Sequence, residues 1–121
     1  MPGRILIVDD NSDAAETLAD LLRMMDYEVR VAGDGNAAMA ALADYQPQLA
    51  LLDIGLPGED GYALAKRMRA DPRMAEAKLV ALSGYGPDKA RSEATGARFD
   101  QHLIKPVGAD QLLDIVQKMI G

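Results

Sequence analysis

The chain has 121 residues, no cysteine and a formal net charge of -6. These values exclude a disulfide framework and a thiolate metal site, and they argue against a nucleic-acid surface, which needs clustered Lys and Arg. At 49% hydrophobic, 26% charged and only 4% aromatic, the composition is that of one soluble globular domain, residues 1–121, with an aliphatic core.

Arg4-Ile5-Leu6-Ile7-Val8 is a short apolar, β-branched run and reads as strand one, ending at Asp9-Asp10. Asn11, Ser12 and Asp13 are all competent caps for helix one, whose apolar positions are Leu18, Leu21, Leu22 and Met25. Asp26 and Tyr27 break that pattern. Glu28 to Ala32 alternates as strand two, and Gly33-Asp34-Gly35 turns into an alanine-rich helix two, from about Asn36 to Asp44. The seven methionines read mostly as helix-core filler, without a ligand role.

Leu49-Ala50-Leu51-Leu52 then runs into Asp53, and Gly55 and Pro57 stop the run. An apolar stretch of this kind reads as a strand buried on both faces. Asp60 is placed as the cap of helix three, with Tyr62, Leu64, Ala65 and Met68 inward, and Asp71-Pro72 as its stop. Lys78 to Leu82 is strand four, ending at Ser83. A loop through Gly84 to Pro87 leads to a polar helix four, from about Asp88 to Thr95 and weakly anchored. Gln101 to Ile104 is strand five, ending at Lys105-Pro106. Helix five spans about Ala109 to Ile120, with Leu112, Leu113, Val116 and Ile120 inward.

Five strand-helix repeats with short connections predict an α/β fold, a parallel sheet with helices on both faces. All strand ends then share one edge, which collects Asp9, Asp10, Asp53, Ser83 and Lys105. Three carboxylates and one ammonium leave a deficit of positive charge. A hard divalent cation relieves it, and Mg2+ takes oxygen ligands from one or two carboxylates plus a phosphate oxygen. Asp53 is accordingly the candidate nucleophile toward phosphorus. Asp10 is a direct Mg2+ ligand, Asp9 a ligand directly or through water, and Gly55 a backbone-carbonyl ligand. Lys105 balances the phosphoryl charge, and Ser83 donates its hydroxyl to a phosphoryl oxygen. Taken singly, Asp9-Asp10 would be only a helix cap, Ser83 a loop serine and Lys105 a surface lysine.

The ordered set Asp9-Asp10, then Asp53, Leu56, Pro57 and Gly61, then Ser83-Gly84, then Lys105-Pro106 resembles the receiver domain of two-component response regulators. It is similar to chemotaxis-type single-domain receivers and to receivers of hybrid sensor kinases, across essentially the whole chain. The resemblance implies a doubly wound, flavodoxin-like five-stranded parallel sheet of order 2-1-3-4-5. It implies phosphotransfer from a phosphohistidine, on a histidine kinase or a histidine phosphotransfer protein, to Asp53. Self-catalysed hydrolysis follows, so the chain would catalyse its own phosphorylation and dephosphorylation without being a conventional enzyme. It further implies that Ser83 moves toward the phosphate and that the face of strand four and helix five changes shape for a downstream protein.

Two positions depart from the family pattern. His102, the one histidine, stands where the family has Tyr or Phe, as a modified switch residue or as a plain strand residue. Arg98 stands where a glycine ends helix four. Tyr85 is placed beside the site or on an exposed loop. The alternatives to a phosphorylated switch are a pseudo-receiver that binds protein without phosphotransfer, and an aspartate-dependent phosphatase or flavin protein of similar topology. The phosphatase pattern D-x-D is missing, and Asp9-Asp10-Asn11 would repel a flavin phosphate. The chain is expected to be cytoplasmic, a monomer or weak dimer, without direct contact to nucleic acid or membrane.

Overall fold

The computed structural model describes residues 3–54, 61–83, 99–104 and 107–120. The order is β1 (Arg4–Val8), α1 (Ser12–Met24), β2 (Glu28–Ala32), α2 (Gly35–Ala41) and β3 (Leu49–Asp53). It continues with α3 (Gly61–Ala70), a 3-10 turn (Pro72–Met74), β4 (Lys78–Ser83), β5 (Gln101–Ile104) and α4 (Ala109–Ile120). Here α4 is the helix expected as the fifth. The fourth expected helix, the Asp60 cap, Tyr85 and Arg98 lie outside the described residues.

The five strands form one parallel sheet in the order β2-β1-β3-β4-β5. The register sets Val8 opposite both Ala32 and Leu52, and Asp53 opposite Leu82. This brings the ends of β1, β3 and β4 to a common edge. The order reverses direction between β1 and β3, where an open α/β sheet presents its crevice.

Alternation along the strands divides the core in two. Leu6, Val8, Ala50, Leu52 and Leu79 pack with Ala38 of α2, with Leu42 and Tyr45 just beyond it, and with Leu64, Ala65 and Met68 of α3. Ile5, Ile7, Leu49, Leu51, Val80 and Leu82 face the other way, onto Ala15, Ala19 and Leu22 of α1 and Leu112 and Val116 of α4. All five residues of β3 are buried, which explains its unbroken apolar run. Its fully buried leucines each contribute about 2 kcal/mol by burial.

Helix ends follow local chemistry. Asn11 Oδ1 accepts from the Ala14 amide at 3.1 Å and caps α1, and Asp34 Oδ1 accepts from the Ala37 amide at 2.7 Å and caps α2. At the far end of α1, the Tyr27 amide donates to the Leu22 carbonyl and the Asp26 amide to the Arg23 carbonyl. That pair of bonds is a Schellman closure, and it places Asp26 at φ 69°, in left-handed conformation.

Two expectations need correction. Leu22 of α1 is buried and Leu18 and Leu21 pack partly buried against the core, as expected, but Ala15 and Ala19 complete the inner face, while Met25 is 46% exposed and Met24 79%, so neither is core filler. α2 ends at Ala41, three residues early, and the chain turns so that Leu42 and Tyr45 enter the core. As expected, α3 stops before Asp71-Pro72, and Pro72 also starts a 3-10 turn, which buries Met74. No described helix is long and apolar enough to cross a membrane.

Candidate metal and phosphoryl site

The site begins with two strand ends that cannot continue as core. Val8 and Leu52 are fully buried neighbours in the ladder. The next residue on each strand is an aspartate, Asp9 at 1% exposure and Asp53 at 8%. Among the described residues these are the two buried charged side chains. Burying a carboxylate is costly unless hydrogen bonds or a cation compensate it.

Asp9 is fixed at both backbone and side chain. Its amide donates to the Ala32 carbonyl at 3.0 Å, tying it to the end of β2. Its Oδ1 accepts from the Asn11 amide at 2.9 Å. Asn11 in turn caps α1, so the orientation of Asp9 is set where that helix starts. Asp53 is the last residue of β3, and the next amide, of Ile54, donates to the Leu82 carbonyl at 3.0 Å. That bond holds the turn after Asp53 against β4.

Asp10, exposed beside Asp9, completes the set. Asp9, Asp10 and Asp53 each offer a carboxylate oxygen, and these oxygens all lie within 4.8 Å of one another. Two unit charges at that separation repel by about 3 kcal/mol at an effective dielectric of about 20. An all-oxygen donor set with this charge fits a hard divalent cation and does not fit a soft one.

Asp9, Asp10 and Asp53, expected at one edge from the strand ends, are brought together by the fold. Ser83 ends β4, one residue beyond the partner of Asp53, and stands opposite Ile104 in the β4-β5 ladder. Gly55 and Lys105 lie outside the described residues. His102 is half-buried on β5, opposite Ala81, with its ring edge-to-face on Phe99 at 5.4 Å between centroids.

Sequence reasoning missed Tyr45 and Asp100. The Tyr45 hydroxyl lies within donating distance of the Glu28 carbonyl at 2.9 Å and the Ile5 carbonyl at 3.1 Å, and Arg30 stacks over its ring at 4.6 Å. Burial, and then the Glu28 charge, push its hydroxyl pKa up. Asp100 accepts from both Arg69 and the Leu79 amide. Neither contact has a local sequence signal, because each joins residues far apart in the chain.

Residues 5–117 match the family model described as response regulator receiver domain. The chain is 31% identical over 117 residues to the DNA-binding dual master transcriptional regulator RpaA of Synechocystis sp., covering 97% of this chain and 48% of that protein. It therefore spans about half the length of that curated relative. A response regulator receiver domain (CheY-like) from Methylobacillus flagellatus superposes with a TM-score of 0.85 at 32% identity, covering 98% of this chain and 99% of that one. The receiver domain of the sensor histidine kinase PA1611 from Pseudomonas aeruginosa PAO1 superposes with a TM-score of 0.87 at 27% identity, covering 100% and 99%. That structure carries a magnesium ion coordinated in the active site cleft.

Proposed function

The chain belongs to the response regulator receiver domain family, and from this membership we propose that it is a phosphorylatable signalling switch of a two-component phosphorelay, with Asp53 as the phosphoryl acceptor. The observation that carries the proposal is the convergence of the Asp9, Asp10 and Asp53 carboxylates, two of them buried, at one sheet edge. A core that only needed stability would not keep them there.

In this reading the cation is Mg2+, which Asp10, Asp53 and the Gly55 carbonyl would hold, with Asp9 doing so directly or through water. The magnesium in the PA1611 receiver supports that identity. Bound there, Mg2+ would neutralise the acidic cluster and offset charge on the phosphoryl oxygens.

The chain's own residues do the rest. A carboxylate oxygen of Asp53 bonds to the phosphorus of a phosphohistidine as the P–N bond breaks. The electron pair of that bond stays with the imidazole, which takes a proton from solvent. Asp53 then carries an acyl phosphate. The Lys105 ammonium balances charge on the phosphoryl oxygens, and the Ser83 hydroxyl donates to one of them. In reversal of the state, a water oxygen bonds to phosphorus and the P–O bond to Asp53 breaks. The carboxylate, inorganic phosphate and a proton are released.

The donor is a histidine kinase or a histidine phosphotransfer protein, and the reader is a protein that recognises the face of β4 and α4. The net charge of -6 disfavours a direct nucleic-acid partner for this domain. The setting is cytoplasmic, where such donors present their phosphohistidines. The test is transfer of label from a phosphohistidine-bearing donor domain, with and without a chelator. Label that moves to the wild type with Mg2+ present and stays on the donor against Asp53→Ala supports the reading. Label that moves equally to the alanine variant contradicts it.

A further inference from the structure

β5 is the edge strand of the sheet, four residues long, and its one ladder partner is β4. So short an edge strand has few bonds to define its register. Asp100, the residue before it, supplies further ones. Its amide donates to the Leu79 carbonyl at 2.7 Å, and its Oδ2 accepts from the Leu79 amide at 2.8 Å. The same Oδ2 accepts from Arg69 Nη2 at 2.8 Å. Arg69 Nη1 donates to the Ala77 carbonyl at 2.9 Å. One guanidinium in the last turn of α3 thus joins the start of β4 to the start of β5.

The pair is shielded as well as bonded. The side chains of Arg69 and Asp100 are 24% and 29% exposed, against 46% and 72% for the surface pair Arg30–Asp44. A shielded, charge-assisted contact of this kind holds geometry better than a solvated one.

We propose that Asp100, held by Arg69, is a positioning residue for phosphoryl transfer: it fixes the register of β5 and so sets the position of Ile104, the strand end at the acidic edge from which the chain continues to Lys105. The inference rests on the receiver reading above. Asp100 stands at the opposite end of β5 from that edge and touches no reacting group. Its leverage is geometric, because a slip of one residue displaces a strand end by about 3.3 Å and inverts its faces.

The test uses the full chain, Mg2+ and acetyl phosphate as the probe donor. Phosphorylation rate is followed by intact mass, and Mg2+ affinity is measured separately by calorimetry. Asp100→Ala and Arg69→Gln are expected to slow phosphorylation by on the order of tenfold. Their Mg2+ affinity stays at the wild-type value, because β1 and β3 carry the aspartates. Arg69→Lys keeps the charge without the fork and recovers part of the rate. Asp100→Asn keeps an acceptor for the Leu79 amide and serves if the alanine variant unfolds; it is expected between alanine and wild type. Folded variants that react at the wild-type rate overturn the assignment alone. Rate and Mg2+ affinity that fall together also overturn it, since that is general loosening. A wild type that takes no phosphoryl group from acetyl phosphate or from a phosphohistidine donor, and binds no Mg2+, overturns the receiver reading, and this assignment with it.

Discussion

Asp9, just past β1, and Asp53, the last residue of β3, stand at the ends of neighbouring parallel strands, both buried, with carboxylate oxygens within 4.8 Å of one another and of Asp10. Side by side without a cation their charges repel. Asp53→Asn removes one charge at nearly constant volume. Without metal it should stabilise the chain by about 1 kcal/mol or more, discounting the exposed Asp10. Mg2+ at one hundred times its dissociation constant should stabilise the wild type by about 2.7 kcal/mol, and the variant by less. Thermal melts with and without Mg2+ check both. A lower melting temperature for metal-free Asp53→Asn would contradict the clustered-carboxylate account.

Asp71 offers a prediction in pH. Its carboxylate accepts from Arg73 Nη2 at 2.7 Å and from the Arg73 amide at 2.9 Å. The Arg73 side chain first, then its backbone amide, lower the pKa to about 2. A folded pKa below the unfolded value means the contact stabilises the fold at neutral pH. That contribution is present above the ordinary carboxylate range and is lost as pH falls through about 2. Carbon-detected NMR titration should place the Asp71 midpoint near there, and Arg73→Gln should return it toward 3.8. A midpoint unmoved by that substitution would refute the pairing.

Asp26 closes α1 in a conformation that suits glycine, at φ 69°. It also puts a negative charge at the negative end of the helix dipole. Asp26→Gly should therefore stabilise the chain by about 1 kcal/mol, against a small entropic gain of the unfolded state. Urea unfolding measures it, and a destabilised variant would show that the Asp26 side chain has a compensating role.

Tyr45→Phe leaves the ring and removes the hydroxyl that bonds the Glu28 and Ile5 carbonyls. The expected loss is about 1–2 kcal/mol, since buried acceptors lose a donor. Equal stability of the two proteins in chemical denaturation would mean that water replaces the hydroxyl fully.

What was legible in the sequence was whatever local pattern encodes. The apolar runs that end in Asp9 and Asp53 gave β1 and β3 because a carboxylate cannot continue a buried strand. The breakers Asp71 and Pro72 gave the end of α3. In α1 the inner-face leucines are legible, but the places of Ala15, Ala19 and Met25 are not, because alanine is small enough to pack at the sheet and polar-tolerant enough to sit outside. Ala15 and Ala19 are buried while Met24 and Met25 are exposed, and hydrophobicity alone ranks them the other way. Met74 is not legible locally, because a proline after a helix signals a stop and not the 3-10 turn that buries the next apolar residue. The Tyr45 and Arg69–Asp100 contacts depend on tertiary proximity, which no local pattern encodes.

The most direct measurement is intact mass after incubation with Mg2+ and acetyl phosphate, beside Asp53→Ala and a metal-free control. One added phosphoryl group on the wild type, absent in the alanine variant and without metal, is the predicted result. A chain that gains no phosphoryl group from this donor or from a phosphohistidine donor, and that binds no Mg2+, would contradict the account and make the domain a protein-binding module without phosphotransfer.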